Sequence, residues 1–220
     1  MAADYGFRSI ADLPDSLPVF PLDGALLLPR AQLPLNIFEP RYLAMTEAAL
    51  ATRPRLIGMI QTAHGEMDAA APSLAEIGCA GRIVSFSEAG DGRYLITLGG
   101  VCRFRVAEEL GADTPYRVVR PDWSDFAADL FAPPDLKFDR DAFSAVLRQF
   151  FTARDLAADW DSIRQAPLEP LVNQLSIGCP FAPAEKQALL EAKTVQDRLN
   201  VLTTLMRMAA AGDADPSAMQ

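Results

Sequence analysis

Gly90-Asp91-Gly92-Arg93-Tyr94-Leu95-Ile96-Thr97-Leu98-Gly99-Gly100-Val101-Cys102-Arg103-Phe104-Arg105-Val106 is the stretch that decides the fold class. Asp91-Gly92 supplies the positive φ angles that a tight hairpin turn needs, and it closes a hairpin expected over Arg82–Gly100. Beyond the turn, Tyr94, Ile96 and Leu98 recur with the period of two of a half-buried strand and are expected to face the core. Gly99-Gly100 is expected to turn the chain into a further strand, Val101–Val106. There Cys102, Phe104 and Val106 share one face, and Val101, Arg103 and Arg105 the other.

Upstream, Leu17–Phe20, Gln32–Ile37, Leu56–Gln61 and Glu76–Phe86 read as short strands between Pro and Gly breaks; downstream, Tyr116–Arg120 adds another. Proline cannot donate to a ladder, so Pro34 puts its strand at an edge, a bulge or a strand start. One helix interrupts the strands at Glu39-Pro40, with Pro40 suited to the first helical position and Tyr42, Leu43, Thr46, Ala49 and Leu50 on one face. Several closely spaced strands joined by glycine turns predict a small barrel or folded sheet.

Composition changes after residue 121, where Asp122–Pro170 carries ten acids against five bases. Ala132-Pro133-Pro134-Asp135 reads as an extended connector. Beyond it the period becomes helical: Phe143, Val146, Leu147, Phe150 and Phe151 form a buried stripe. Leu168–Leu175 and Pro183–Glu191 follow, and Thr194-Val195-Gln196-Asp197 resembles a capping box before a last helix that buries Val195, Leu199, Leu202 and Met206. The reading is α+β. A β domain over residues 1–121 is followed by a connector (122–138), a helical bundle (139–210) and a fraying tail (211–220).

At 220 residues the chain is long enough to bury a sizeable core without staples. Half of it is hydrophobic and 22% charged, which excludes a disordered class. A net charge of −9 opposes a general role on nucleic acid or an anionic membrane. Cys79, Cys102 and Cys179 are isolated and odd in number, as suits a reducing cytoplasm, and the N-terminus does not look like a secretory signal.

None of the three lysines follows a glycine, so there is no phosphate-cradling P-loop. Gly90-Asp91-Gly92 lacks the third glycine and the following helix of a dinucleotide fingerprint. His64, the sole histidine, reads as a solvated loop residue, and the cysteines as buried thiols; no cofactor and no metal are expected. Asp122, Asp125 and Asp129 could line one helical face, and a solvated acidic face is the expectation. Arg82, Arg93, Arg103, Arg105, Arg117 and Arg120 form the one patch that could attract phosphate or carboxylate, set against pairing with Glu108, Glu109 or Asp113.

Leu17-Pro18-Val19-Phe20-Pro21-Leu22, followed by Leu33-Pro34-Leu35-Asn36-Ile37-Phe38-Glu39-Pro40-Arg41-Tyr42, resembles the opening of the Lon substrate-binding domain, and Ile37–Tyr42 especially its standalone bacterial versions. Arg55–Met59, Glu76–Ile83, Tyr94–Phe104, Pro183–Glu191 and Val195–Leu199 are similar in register, so the resemblance spans roughly Leu17 to Met208. It implies a PUA-like β pseudo-barrel followed by a C-terminal helical bundle. It also implies a non-enzymatic, cytoplasmic polypeptide-binding role, as an adaptor or regulator in protein quality control. The ATPase and Ser-Lys peptidase modules of the protease are not carried over. The implied partners are unfolded or extended polypeptide and a protease complex, with nucleic acid and membrane not expected. Two alternatives stay open: RNA binding through the Arg82–Arg120 patch, since PUA-like barrels occur in RNA-binding proteins, and a small ligand in the barrel.

Asn36-Ile37-Phe38-Glu39-Pro40-Arg41-Tyr42 is the candidate polypeptide site, because a strand gives way there to a helix and polar residues interleave with large apolar ones. Glu39, Arg41 and Tyr42 are expected to border a groove, with Arg41 free to take a carboxylate or carbonyl. The competing expectation is that Ile37, Phe38 and Tyr42 pack the core while Glu39 and Arg41 pair locally.

Overall fold

The computed structural model describes residues 5–63, 72–111, 113–134 and 138–212. The described strands are β1 (Leu17–Pro21), β2 (Gln32–Ile37), β3 (Leu56–Ile60), β4 (Ile77–Glu88), β5 (Tyr94–Leu110) and β6 (Arg117–Asp122). The helices are α1 (Pro40–Ala51), α2 (Arg140–Ala153), α3 (Trp160–Gln165), α4 (Leu168–Gly178), α5 (Pro183–Glu191) and α6 (Val195–Gly212), with 3-10 turns at Ile10–Asp12 and Ser124–Leu130.

The sheet runs β2-β5-β4-β3-β1-β6, and β6 also pairs with the far half of β5, so five strands close a barrel and β2 hangs outside it on the near half of β5. Every pair is antiparallel except β1 with β3. Two prolines survive inside β1 because its neighbours are staggered. Pro18 pairs only with β6 and Pro21 only with β3, so each missing N–H falls where a neighbouring strand is absent.

Gly99-Gly100 does not turn the chain. β5 runs through both, because the two glycines let it bend across neighbouring backbone: a Cβ on Gly100 would lie 2.0 Å from the Leu28 carbonyl oxygen. A register shift beside Gly81 accompanies the bend, as expected of a bulge that curves a barrel strand. In the middle of β5, over residues 98–104, both faces are buried, Val101 and Arg103 as well as Cys102 and Phe104, whereas Val106 is half-buried. Of the three residues expected inside, Ile96 and Leu98 are buried; Tyr94 is half-buried at the barrel mouth, donating to Glu47 of α1 at 2.7 Å.

Phe104 fills the barrel interior. It meets Trp123 edge-on at 5.7 Å, and Gly78 must lack a Cβ, which would come within 2.6 Å of its ring. The helical half matches its pattern closely: Phe143, Val146, Leu147 and Phe150 are buried on α2, and Val195, Leu199, Leu202 and Met206 on α6. Thr194 and Asp197 exchange the two capping bonds expected at the start of α6. Ala132, Pro133 and Pro134 lie in neither helix nor strand; Asp135, His64 and residues 213–220, where the tail was expected to fray, lie outside the described residues.

Candidate functional site

Among the described residues, β2 has hydrogen-bonded strand pairing on one side only, with β5. The Gly100 N–H donates to the Ala31 carbonyl at 2.8 Å, which makes Gln32↔Gly99 a non-hydrogen-bonded pair. The alternation then leaves the backbone groups of Gln32, Pro34 and Asn36 pointing to the free edge. All three residues are exposed, and Pro34 contributes only a carbonyl there, so its cost to the ladder is nil.

Alternation also sorts the side chains of the candidate segment. Ile37 points inward and is buried, whereas Asn36 and Phe38 face out. Phe38 is 63% exposed, and Leu95, which stands opposite Asn36, is 49% exposed. An edge strand with free backbone groups, flanked by two large apolar side chains in solvent, is the geometry that accepts an extended chain as an added strand.

The expected groove members divide differently. Tyr42 borders no groove: it is buried in the core with its ring centroid 4.1 Å from that of Phe20. Glu39 and Arg41 hold each other through bonds of 2.9 and 2.7 Å, and the Arg41 guanidinium also lies over the Tyr42 ring at 4.7 Å. The hydrogen bond to Glu39 raises the Arg41 pKa further above its ordinary value. Arg41 is therefore a locally paired surface residue and not a free cation.

The arginine patch is dispersed. Arg103 is 4% exposed, which corrects its place on a surface face. It donates to both Asp129 oxygens, at 2.8 and 2.9 Å, and to the carbonyls of Leu190, Ala192 and Lys193. Asp129 is accordingly buried, not solvated as expected. Burial alone would lower the Arg103 pKa, but Asp129 outweighs it and holds the group above its ordinary value. Arg93 pairs with Asp91, Arg105 with Glu76 and Asp125, Arg117 with Glu109 and Arg120 with Glu108. Arg82 donates to the Tyr5 carbonyl.

Cys79, Cys102 and Cys179 are free and buried, and burial pushes all three thiols up, Cys179 to about 11. Sequence reasoning missed Arg198, 3% exposed, and Asp129 as its neighbour across the seam. A signal existed for Arg198: it lies three residues after Val195 and four before Leu202, within the buried stripe of α6.

A closed barrel with one strand left at an outer edge, joined to a small helical bundle, defines a protein of α+β class. The chain belongs to the ATP-dependent protease La (LON) substrate-binding domain family, whose model matches residues 16–208. Lon protease 2 of Sorangium cellulosum is 26% identical over 205 residues, covering 87% of this chain and 24% of that protein. Lon protease 2 of Myxococcus xanthus is 32% identical over 121 residues, covering 54% of this chain and 14% of that protein. The chain thus spans about a quarter or less of the curated relatives it matches. Among solved structures, the Lon N-terminal domain protein of Xanthomonas campestris superposes with a TM-score of 0.60 at 24% identity, covering 86% of this chain and 97% of that one. The N-terminal domain of the Mycobacterium avium complex Lon protease gives 0.62 at 16% identity, covering 87% and 98%. At these identities the two structures share the fold. No described helix is long and apolar enough to cross a membrane.

Proposed function

We propose that this chain is a non-enzymatic, cytoplasmic polypeptide-binding module, serving as an adaptor or regulator in protein quality control, and that it holds an extended segment along the outer edge of β2. The carrying observation is the free edge itself: Gln32, Pro34 and Asn36 are exposed, with Phe38 and Leu95 beside them. Backbone bonding to such an edge is indifferent to sequence, while two apolar side chains favour segments whose own apolar residues lie in the open, as in an unfolded protein. Membership of a substrate-binding family supports the same reading.

The test is capture of a permanently unfolded, reduced and alkylated polypeptide by the purified chain. Phe38→Ser should weaken capture about tenfold without altering the melting temperature, and a peptide methylated on alternate backbone nitrogens should bind far more weakly than its parent. Capture unaffected by both changes would remove β2 from the site. ATP hydrolysis or degradation of the bound chain, abolished by a point mutation, would overturn the non-enzymatic reading.

A further inference from the structure

Between the barrel and the bundle lies a cavity of about 400 Å³, within the range of small-molecule sites. Its lining combines the apolar Phe131, Pro133, Pro134 and Val195 with the cations Arg30, Arg103, Lys193 and Arg198. Two carboxylates touch these guanidiniums: Asp129 is occupied by Arg103, and Glu169 by Arg30. With Lys193 also in the lining, four cations face two carboxylates, and Arg198 is the buried one of them that forms no ion pair among the described residues, in a chain whose net charge is −9.

Donor bookkeeping distinguishes Arg198 from Arg103. A guanidinium has five N–H groups. Arg103 spends all of them on Asp129 and three carbonyls. Arg198 spends two, donating through Nε to the Leu189 carbonyl and through Nη1 to Asn173 Oδ1, both neutral acceptors. Among the described residues no buried side-chain nitrogen lacks a partner, yet the protein supplies no acceptor to Arg198 Nη2; that nitrogen must therefore open onto the cavity it lines. Burial, and then repulsion from Arg103, lower the Arg198 pKa to about 10 against the weaker pull of Asp129 and Glu169, neither of which forms an ion pair with it.

We infer that this seam cavity binds a carboxylate attached to an apolar body, the carboxylate on Arg198 and the body against Phe131, Pro133 and Pro134. A planar guanidinium fork without an ion-pair partner suits a carboxylate. The apolar lining gives inorganic phosphate nothing to pack on. The inference goes beyond the polypeptide site, which lies on the β2 edge. The same chemistry can come from a free carboxylic acid or from the C-terminal carboxylate of a peptide.

Calorimetric titration of the full chain with 4-phenylbutyrate, its amide, inorganic phosphate, and a hexapeptide ending in Phe with a free or amidated C-terminus tests this. The acid should bind at least tenfold more tightly than the amide, and more tightly than phosphate. Arg198→Gln should weaken it at least tenfold and Phe131→Ser severalfold, while Phe38→Ser leaves it unchanged. A free-ended peptide that binds more tightly than phenylbutyrate assigns the site to chain termini; weaker binding assigns it to small acids. Equal binding of acid and amide, preference for phosphate, no binding, or full affinity in a folded Arg198→Gln variant would overturn the inference. Should Arg198→Gln not fold, Phe131→Ser and the contrast of acid with amide decide.

Discussion

Arg103 joins the two halves with all five of its N–H groups, and its partner Asp129 is only 7% exposed. Removing one member of a buried pair leaves the other charge stranded. Arg103→Ala should therefore cost about 3–5 kcal/mol in urea unfolding, and the double variant Arg103→Met with Asp129→Leu should recover much of it. Arg41→Ala, by contrast, breaks an exposed pair with Glu39 and should change stability by less than about 1 kcal/mol. The Cys179 thiol gives a pH signature. Burial holds its folded pKa at about 11 against an ordinary 9.0, so above pH 9 the unfolded chain loses a proton that the folded one keeps. The stability linked to this thiol is fully present below pH 9 and is lost as pH rises towards 11. Cys179→Ala should flatten the fall in melting temperature across that window relative to the parent chain.

At the scale of elements, β5 is one strand only because glycine stands where a side chain would collide with backbone. Gly100→Ala would drive a Cβ to 2.0 Å from the Leu28 carbonyl and should destabilise the chain by several kcal/mol, as at other sites of forced strain. Gly90→Ala meets nothing within 4 Å and should be close to neutral. Thermal melts of the two variants side by side separate a structural bend from an ordinary loop. At α6 the capping box read from Thr194 and Asp197 is present, and Thr194→Ala should cost about 1 kcal/mol by the same measurement.

Across the whole molecule, the barrel and bundle are tied by polar bonds as well as by a shared apolar core. Asn173 Nδ2 donates to the Pro29 carbonyl, Gln61 Nε2 to that of Pro183, and Gln187 Nε2 to that of Ile77. Each half would leave buried donors or acceptors unpaired if the other were removed. Urea unfolding followed by tryptophan fluorescence and by circular dichroism should give one coincident transition, and residues 1–134 produced alone should not reach a native fold.

Alternation, helical period and turn chemistry are local, and they determined most elements from the sequence: β2 and α5 with the expected bounds, the hairpin at Asp91-Gly92 (where Gly92 alone takes a positive φ), and the stripes of α2 and α6; of the three places open to Pro34, the structure selects the edge strand. The Leu17–Leu22 and Leu33–Tyr42 phrases, with the segments in register after them, pointed to the family whose model matches residues 16–208. Local pattern could not say that Gly99-Gly100 bends a strand instead of ending it, because the reason is the Leu28 carbonyl, some seventy residues away in the chain. Nor could it separate Arg103 from Arg105, two residues apart on one strand face, of which one is sealed against Asp129 and the other remains in solvent. Burial of a charge depends on which distant segment packs over it. Which side of β2 is left unpaired and the lack of a carboxylate partner at buried Arg198 were therefore decided by tertiary structure, whereas the pairing of Arg41 with Glu39 is local.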